Sequence, residues 1–283
     1  MVNPWSPADG KRVLSIIQRY MPKCGLIMWT DPYTPARLLY RGTLLGLLLL
    51  LGTLPTLLCL NRFGHAIRVG ERRLDEFMTN AWAGALCRIF GLRLRVSGAV
   101  QPPPVLLVAN HISWLDMMVL YSIVQAGFVS KAEIAKWPLI GFLARVAGTV
   151  FHHRGSHDSA SSVTAAMTRR LNQGGRVAIF PEGGIRPGTG VKVFHARLFK
   201  AAVDADCPVQ PVMIAYLRDG MLDPEITFRE DESFMMNFLR LLGRPACRCE
   251  VRFLAPMAAG GRPRRELAAA AHAAVTTAWA TVA

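Results

Sequence analysis

The chain has 283 residues, and its 33 lysines and arginines against 19 acidic residues give a formal charge of +14. Apolar types make up 52% of the residues and charged types only 18%, whereas soluble domains average roughly 25% charged residues. This composition excludes a disordered or fibrous protein, disfavours a purely soluble one, and is too charged for a polytopic transporter. A globular domain that touches a membrane remains.

The basic excess indicates an anionic partner, and basic residues beside a long apolar stretch favour a lipid surface. Nucleic acid is not an expected partner, because no reader helix or zinc finger accompanies the charge. The six cysteines lack the spacing of a metal site or a disulfide framework, which indicates reduced thiols in the cytoplasm. No metal site is expected. Asp158 is the one carboxylate at a suitable spacing from the histidines at 152, 153 and 157, which is too few ligands to support one.

Residues 1–71 predict a membrane-associated segment with an apolar helix at about 42–60. This stretch is 19 residues long and carries no charge. At about 1.5 Å per residue, such a helix nearly matches a ~30 Å hydrocarbon core. A buried core helix is the alternative. Arginines flank the stretch on both sides, so the sequence leaves open whether the helix spans the bilayer or enters one leaflet.

Residues 72–283 read as one domain without an internal linker. Strands are predicted at 92–98, 105–110, 127–131, 148–152, 176–180, 209–215 and 248–254. Helices are predicted at 10–20 in the leader and then at 72–90, 114–125, 134–146, 158–173, 195–205, 232–243 and 263–282. This alternation predicts an α/β fold, a single layered domain with a mainly parallel central sheet flanked by helices, preceded by a membrane-embedded helix.

The first candidate site is the stretch from Asn110 to Asp116, directly after a predicted strand. On a straight helix, positions five apart point about 140° from each other, so His111 and Asp116 meet only if His111 lies in the turn before a helix. Ser113 favours this arrangement, because Ser-x-x-Asp begins a helix as a capping box with the serine as N-cap. A histidine oriented by a carboxylate is a general base. A plain helix cap with a turn histidine is the alternative.

The second candidate site is Phe180-Pro181-Glu182-Gly183-Gly184, where another apolar strand ends. Ligands of open α/β sheets bind at the carboxyl ends of strands, and glycine allows close approach of the backbone. A strand-to-loop turn with an exposed glutamate explains the pattern equally well.

Basic residues near strand ends form a third candidate, an anion-binding rim. Arg154 follows a predicted strand, and its planar guanidinium suits a phosphate. The other members of this rim are Lys131, Arg186 and Lys192. Taken singly, each is more often a solvated surface charge.

Taken together, these blocks resemble the lysophospholipid/glycerolipid acyltransferase family over roughly residues 72–260. Each block alone is weak evidence for the family, but the blocks in this order and at these distances are strong evidence. The blocks are N-H-x-S-x-x-D at 110–116, K-A-E with W-P-L-I-G at 131–141, G-x-x-F-x-x-R at 148–154, F-P-E-G at 180–183 and P-V-x-P-V-x-I at 208–214. The stretch from 194 to 216 also resembles enzymes that acylate lyso-ornithine lipid.

The resemblance implies an acyltransferase of the H-x4-D type, similar to 1-acylglycerol-3-phosphate acyltransferases. Such an enzyme moves a fatty acyl group from acyl-CoA or acyl carrier protein to the hydroxyl of a lysophospholipid, foremost lysophosphatidic acid, with lyso-ornithine lipid as the alternative acceptor. His111 would be the general base and Asp116 its orienting partner. Arg154 and Glu182 would hold the polar head of the acceptor, Gly183 would shape that pocket, and Pro211 would lie near the acyl site. Lys131 and Arg186 complete the expected substrate-binding residues as members of the basic rim.

No cofactor is implied beyond the acyl-CoA or acyl carrier protein co-substrate. Membrane lipids and the lysophospholipid acceptor are the expected partners. The expected location is a membrane, with the active site on the cytoplasmic side, which in a bacterium is the inner membrane.

Two other functions stay open at this stage: a thioesterase or lipid hydrolase in which the same histidine activates water, and a lipid-binding module without chemistry. A covalent acyl-enzyme is disfavoured, because there is no G-x-S-x-G elbow and no cysteine beside a histidine. The sequence departs from the family where Gly184 and Ile185 shift Arg186 by one place, and where His152 and His153 replace the usual residues. Both departures fall where the acceptor head would bind.

Overall fold

A computed structural model of the chain describes residues 31–60, 62–70, 72–131, 149–152, 157–185 and 190–282. The helices predicted at 10–20 and 134–146 lie outside these residues.

The described residues form strands and helices in the alternating order that the sequence predicts. The strands are β1 Arg68–Val69, β2 Arg72–Arg73, β3 Leu92–Ser97, β4 Val105–Ala109, β5 Gly127–Lys131, β6 Val150–His152, β7 Arg176–Ile179, β8 Val209–Arg218, β9 Met221–Leu222 and β10 Cys247–Phe253. The α-helices are α1 Thr34–Leu47, α2 Thr53–Cys59, α3 Arg62–Ala66, α4 Leu74–Ile89, α5 Leu115–Tyr121, α6 His157–Asn172, α7 Lys200–Asp204, α8 Phe234–Gly243 and α9 Arg264–Ala280. A π-helical turn at Leu48–Gly52 joins α1 to α2, and 3-10 turns occupy Ala196–Phe199 and Pro224–Ile226.

The main sheet has the strand order β3-β10-β8-β4-β7-β5-β6, and β9 pairs with β8. From β8 through β4, β7 and β5 to β6, each pair of adjacent strands is parallel. By contrast, β10 is antiparallel to β8, and β3 is parallel to β10. The predicted mainly parallel sheet is therefore confirmed, with a reversed outer pair. The edge at which β4, β7 and β8 end is called the carboxyl edge below, and β3 and β10 begin there.

The core lies on both faces of the sheet because the central strands are buried on both sides. Every residue of β4 is buried. Val105, Leu107 and Ala109 pack with α4, α5 and α8, while Leu106 and Val108 pack on the opposite face with α6, α7 and α9. Successive side chains of a strand point to opposite faces, so an uninterrupted apolar run is what a covered parallel strand requires.

The apolar leader helix begins earlier than predicted, at Thr34 rather than about 42. Proline at its first turn suits a helix start, since the missing N–H has no helical partner there. Arg41 does not interrupt the helix, because its Nη1 donates to the backbone oxygens of Leu242 and Arg244 at 2.9 and 2.7 Å. Gly91 is needed beside it, since a Cβ there would lie 2.5 Å from Arg41 Nη2. The buried guanidinium of Arg41 is thus stabilised by backbone carbonyls at the end of α8, which lack helical partners there.

The helical segment Thr34–Cys59 is long and apolar enough to cross a membrane, judged by length and composition. One side of it packs on α4, where Trp82 Nε1 donates to Thr53 Oγ1 at 3.3 Å. The other side presents large apolar side chains to the outside: Leu39, Leu47, Leu50, Leu51, Leu54 and Leu58. A continuous exposed apolar surface of this kind marks a membrane or protein contact.

Candidate active site

His111 and Asp116 meet at the carboxyl edge, directly after β4. His111 lies in the turn before α5 and Asp116 in its first helical turn, and His111 Nδ1 is 2.9 Å from Asp116 Oδ2. An ionised carboxylate only accepts hydrogen bonds, so Nδ1 carries the proton of this contact. The second ring nitrogen, Nε2, is then the atom that can accept a proton.

Asp116 is held by further hydrogen bonds on both carboxylate oxygens. The backbone N–H groups of Ile112 and Ser113 donate to Oδ2 at 2.7 and 2.9 Å, and the hydroxyl of Tyr216 donates to Oδ1 at 2.6 Å. The carboxylate is fully buried. Four donors around one buried carboxylate compensate its desolvation and fix its orientation.

The predicted capping box at Ser113 forms only in part. The Asp116 carboxylate accepts the backbone N–H of Ser113 at 2.9 Å, which is the acidic half of such a box. The serine half is not formed: the helix begins at Leu115 with Trp114 as the flanking residue and no side-chain cap, and Ser113 Oγ accepts only a long contact of 3.4 Å from the N–H of Leu115.

Asn110 fixes the turn that carries His111 to the neighbouring strand. Its Nδ2 donates to the backbone oxygen of Ile214 at 2.9 Å, and its Oδ1 accepts from the N–H of the same residue at 2.8 Å. This side chain therefore continues the pairing between β4 and β8 for one residue beyond the end of β4. β8 also carries Tyr216, which binds Asp116. One strand therefore positions both Asn110, the residue before His111, and the carboxylate of Asp116.

Aromatic side chains hold the turn from two sides. The ring of His111 stacks on Phe180 with the ring centres 4.1 Å apart and the planes 15° apart. Trp114 packs against Phe238, and its Nε1 donates to Asn237 Oδ1 at 3.0 Å. The orientation of the imidazole ring is thus fixed by Phe180, the residue directly after β7, and the position of the start of α5 is fixed by α8.

Glu182 lies next to His111, brought there by the turn that follows β7. Gly183 has φ +78°, a value that favours glycine. The Glu182 carboxyl group is buried and accepts hydrogen bonds from the backbone N–H groups of His111 and Lys192. The exposed glutamate of a plain turn, which the sequence left open, is not what the structure contains.

Burial raises the pKa of Glu182 from 4.5 to about 7, although the two backbone N–H groups act in the opposite direction. Between these two pH values the folded protein binds more protons at this group than the unfolded chain does. Ionisation of Glu182 therefore opposes folding. The unfolding free energy is highest while the group is protonated and falls as the pH rises through this window. The difference between the two pKa values corresponds to about 3 kcal/mol of unfolding free energy.

A small cavity of about 40 Å³ lies beside His111. Apolar side chains line it, among them Ile112, Leu222 and Ile226, together with one residue of each charge, Lys192 and Asp223.

The other predicted site residues have different outcomes. Arg154 and Arg186 lie outside the described residues, so their roles stay predictions. Lys131 is the last residue of β5. Pro211 is buried within β8 opposite Val108, and the structure does not place it beside His111.

Sequence reasoning missed Tyr216 and the function of Asn110. A tyrosine at the end of the apolar run of β8 was the available signal, because a buried tyrosine hydroxyl needs a hydrogen-bond partner. Within the residues that the structure describes, no group of three or more histidine, cysteine or acidic side chains is arranged to hold a metal ion.

Comparison with known proteins gives a consistent result. The family model described as Acyltransferase matches residues 93–215. A lyso-ornithine lipid O-acyltransferase of Pseudomonas aeruginosa is 39% identical over 202 residues, which cover 71% of this chain and 78% of that protein. A 1-acyl-sn-glycerol-3-phosphate acyltransferase of Neisseria gonorrhoeae is 36% identical over 134 residues, 47% of this chain and 52% of that protein.

The crystal structure of the 1-acyl-sn-glycerophosphate (LPA) acyltransferase PlsC from Thermotoga maritima has the same fold. The TM-score is 0.65 at 19% identity, covering 88% of this chain and 95% of that one. The predicted family, fold and enzyme class are therefore confirmed: with its H-x4-D turn at the carboxyl edge of a mainly parallel sheet, the chain belongs to the acyltransferase family of lysolipid-acylating enzymes.

Proposed function

We propose that the protein transfers a fatty acyl group from an acyl thioester to the free hydroxyl of a lysolipid, with His111 as the general base. The observation that carries this proposal is the 2.9 Å contact between His111 Nδ1 and Asp116 Oδ2. It leaves Nε2 as the proton acceptor beside a partly apolar cavity.

The reaction proceeds by direct attack. Nε2 of His111 takes the proton of the lysolipid hydroxyl as its oxygen bonds to the thioester carbonyl carbon. The tetrahedral intermediate then collapses, the carbon–sulfur bond breaks, and the imidazolium returns the proton to the thiolate. Asp116 stays ionised throughout and stabilises the imidazolium. General base action of this kind typically contributes about 10²–10⁴-fold to the rate.

The polar head of the acceptor is assigned to the Glu182 turn and the basic rim. Glu182 and Lys192 lie together next to His111. Arg154 joins them by family resemblance, and Lys131 and Arg186 join them as the other predicted members of the basic rim. Glu182 with a pKa of about 7 is partly protonated at neutral pH, so its carboxyl group can donate to a polar head or accept from it.

Lyso-ornithine lipid is the acceptor that we place first, and lysophosphatidic acid second. The sequence motifs alone favoured the opposite order. The relative with the longer match is the lyso-ornithine lipid enzyme, whereas the match to the glycerol-3-phosphate enzyme spans about half of each chain.

The donor is acyl-CoA or acyl carrier protein, and no other cofactor is proposed. The active site is placed on the cytoplasmic side of the membrane. Support comes from the cysteines, since Cys59, Cys87, Cys207, Cys247 and Cys249 are all free thiols in the described part of the chain, as a reducing compartment requires.

The experiment is an acceptor panel. Detergent-solubilised protein is incubated with labelled acyl thioester and either lyso-ornithine lipid, lysophosphatidic acid, another lysophospholipid or no acceptor, and the labelled product is identified by mass. Acylated ornithine lipid as the main product supports the proposal. Free fatty acid formed equally with and without acceptor would identify a thioesterase instead.

A further inference from the structure

The cavity beside His111 has two walls that come from distant parts of the chain. The first wall contains His111 and Ile112, in the turn before α5. The second wall is formed by residues 222–227, in the segment that leads from β9 to α8. The first wall lies within residues 93–215, which the acyltransferase family model matches, and the second wall lies after them. The match to the family therefore does not account for the second wall.

The separation of the two walls matters because the cavity is narrow. Its volume is about 40 Å³, which is room for only a few water molecules. Much of its lining is apolar, with Ile112, Leu222, Ile226 and Trp279 among the contributors, and an apolar lining favours an alkyl chain over water. A small displacement of either wall therefore changes how well a fatty chain fits.

One buried side chain of α8 connects the two walls. Asn237 Oδ1 accepts a hydrogen bond from Trp114 Nε1 at 3.0 Å, and Trp114 follows the His111 turn at the start of α5. Asn237 Nδ2 donates to the backbone oxygen of Thr227, in the second wall, at 3.2 Å. Asn237 is 0% exposed, so water does not compete for these bonds.

A buried ion pair fixes Asn237 and the second wall to α8. Arg240 Nε and Nη2 donate to Glu232 Oε1 and Oε2 at 2.6 and 2.7 Å, and Asn237 Nδ2 donates to the same Oε2 at 2.8 Å. Arg240 also donates to the backbone oxygens of Glu225 and Thr227 at 2.5 and 2.8 Å. The three side chains Glu232, Asn237 and Arg240 are called the α8 cluster below.

The α8 cluster keeps its charges at every pH of a transfer assay. Burial alone would raise the pKa of Glu232, but the hydrogen bonds from Arg240 and Asn237 lower this pKa to about 2. Paired hydrogen bonds between a guanidinium and a carboxylate also fix the geometry of both groups. The α8 cluster is therefore a fixed support for the second wall and for the link to Trp114.

The reacting His111–Asp116 pair is held by other contacts. Asn110, before the turn, and Tyr216, beside the carboxylate, connect the pair to β8. Loss of the link to α8 should therefore change the separation of the walls more than the geometry of the pair. A change in wall separation alters substrate binding and is measured as KM, whereas a change in the pair alters kcat.

We propose that Asn237 is a positioning residue that sets the separation of the two cavity walls and thereby the binding of a substrate fatty chain. The chain belongs either to the acyl thioester or to the lysolipid, since both substrates carry one. This inference rests on the proposed acyl transfer, because that reaction identifies the ligand as a fatty chain.

The test measures KM and kcat of acyl transfer by detergent-solubilised full-length protein, with the acyl thioester and the lysolipid varied in turn. Trp114→Phe removes the Nε1 donor and keeps an aromatic ring against Phe238. Asn237→Leu removes the hydrogen bonds of the amide at nearly the same side-chain size. The control is Val163→Ala, which removes buried apolar atoms from α6, on the opposite face of the sheet. Thermal unfolding of each variant confirms that it is folded.

We expect Trp114→Phe and Asn237→Leu each to raise KM for one substrate about 3- to 10-fold, as the loss of one hydrogen bond would, while kcat stays within about twofold. The substrate whose KM rises identifies the chain that enters the cavity. The double variant should have the KM of Asn237→Leu alone, because both changes break the same link. Val163→Ala should lower the melting temperature without changing either KM.

Unchanged KM values in both variants, with wild-type transfer intact, would overturn this inference and leave the proposed function in place. An equal rise of KM in Val163→Ala would show a general loosening of the fold and would also overturn it, as would additive effects in the double variant. Absence of transfer by the wild type would overturn the proposed function and this inference together. If Asn237→Leu does not fold, Trp114→Phe alone decides the outcome, because it leaves the α8 cluster in place.

Discussion

The hydrogen bonds of Asp116 predict that replacing it by asparagine preserves the fold but removes most of the activity. In Asp116→Asn the side-chain oxygen can keep the position of Oδ2, accepting from His111 Nδ1 and from the N–H groups of Ile112 and Ser113. The amide nitrogen then faces Tyr216, whose hydroxyl can turn from donor to acceptor. Each donor and acceptor thus keeps a partner, and the histidine keeps its tautomer.

The lost quantity is the attraction between a carboxylate and the imidazolium formed during transfer. Unit charges about 4 Å apart at an effective dielectric constant of ~20 interact by about 4 kcal/mol. This corresponds to a rate loss on the order of 10²–10³-fold. By contrast, Asp116→Ala leaves the two backbone N–H groups and the Tyr216 hydroxyl buried without an acceptor, at about 1–3 kcal/mol each. We expect that variant to be severely destabilised.

The assay compares the initial rate of acyl transfer in detergent with the thermal unfolding midpoint of each variant. The asparagine variant should melt close to the wild type while its kcat falls and its KM for the lysolipid changes little. A wild-type rate for Asp116→Asn would show that the charge is not needed. An asparagine variant as unstable as the alanine variant would refute the hydrogen-bond assignment.

Three further predictions follow from other contacts. Tyr216→Phe removes the 2.6 Å bond to Asp116, and it should lower stability by about 1.5–3 kcal/mol in thermal unfolding and reduce kcat more than it changes KM; an unchanged kcat would show that the tyrosine does not position Asp116. Glu182→Gln should raise the unfolding free energy at pH 8 by up to about 3 kcal/mol and leave it unchanged at pH 4, so denaturant titrations with equal gains at both pH values would contradict the raised pKa. Arg41→Met leaves the backbone oxygens that it binds without that donor, and the melting temperature should fall; an unchanged value would mean that water satisfies them.

The fold was predictable because local pattern and tertiary environment agree. The strands β3, β4, β7 and β10 differ from their predicted bounds by about one residue at either end, since short apolar or alternating runs are bounded by glycine, proline or polar residues. The reversal of β10 and β3 was not predictable in this way. Strand direction depends on the path of the chain between strands, and strand patterning does not record it.

The candidate site was predictable as a set of residue types and positions, but not as a network. The spacing of His111 and Asp116 required a turn before the helix, and the structure contains it. The partner of the second carboxylate oxygen, Tyr216, lies 100 residues away along the chain, and no local pattern links two residues at such a separation. The start of the apolar helix was misplaced for a similar reason, because the acceptors of Arg41 lie in the last turn of α8 and just after it, about 200 residues away.

The most direct test of the central claim is the acyl-transfer rate of purified His111→Ala with labelled acyl thioester and lysolipid. The imidazole contacts Asp116 and stacks on Phe180. We predict that the folded variant loses at least about 10²-fold in kcat. Transfer at the wild-type rate by this variant would contradict the account.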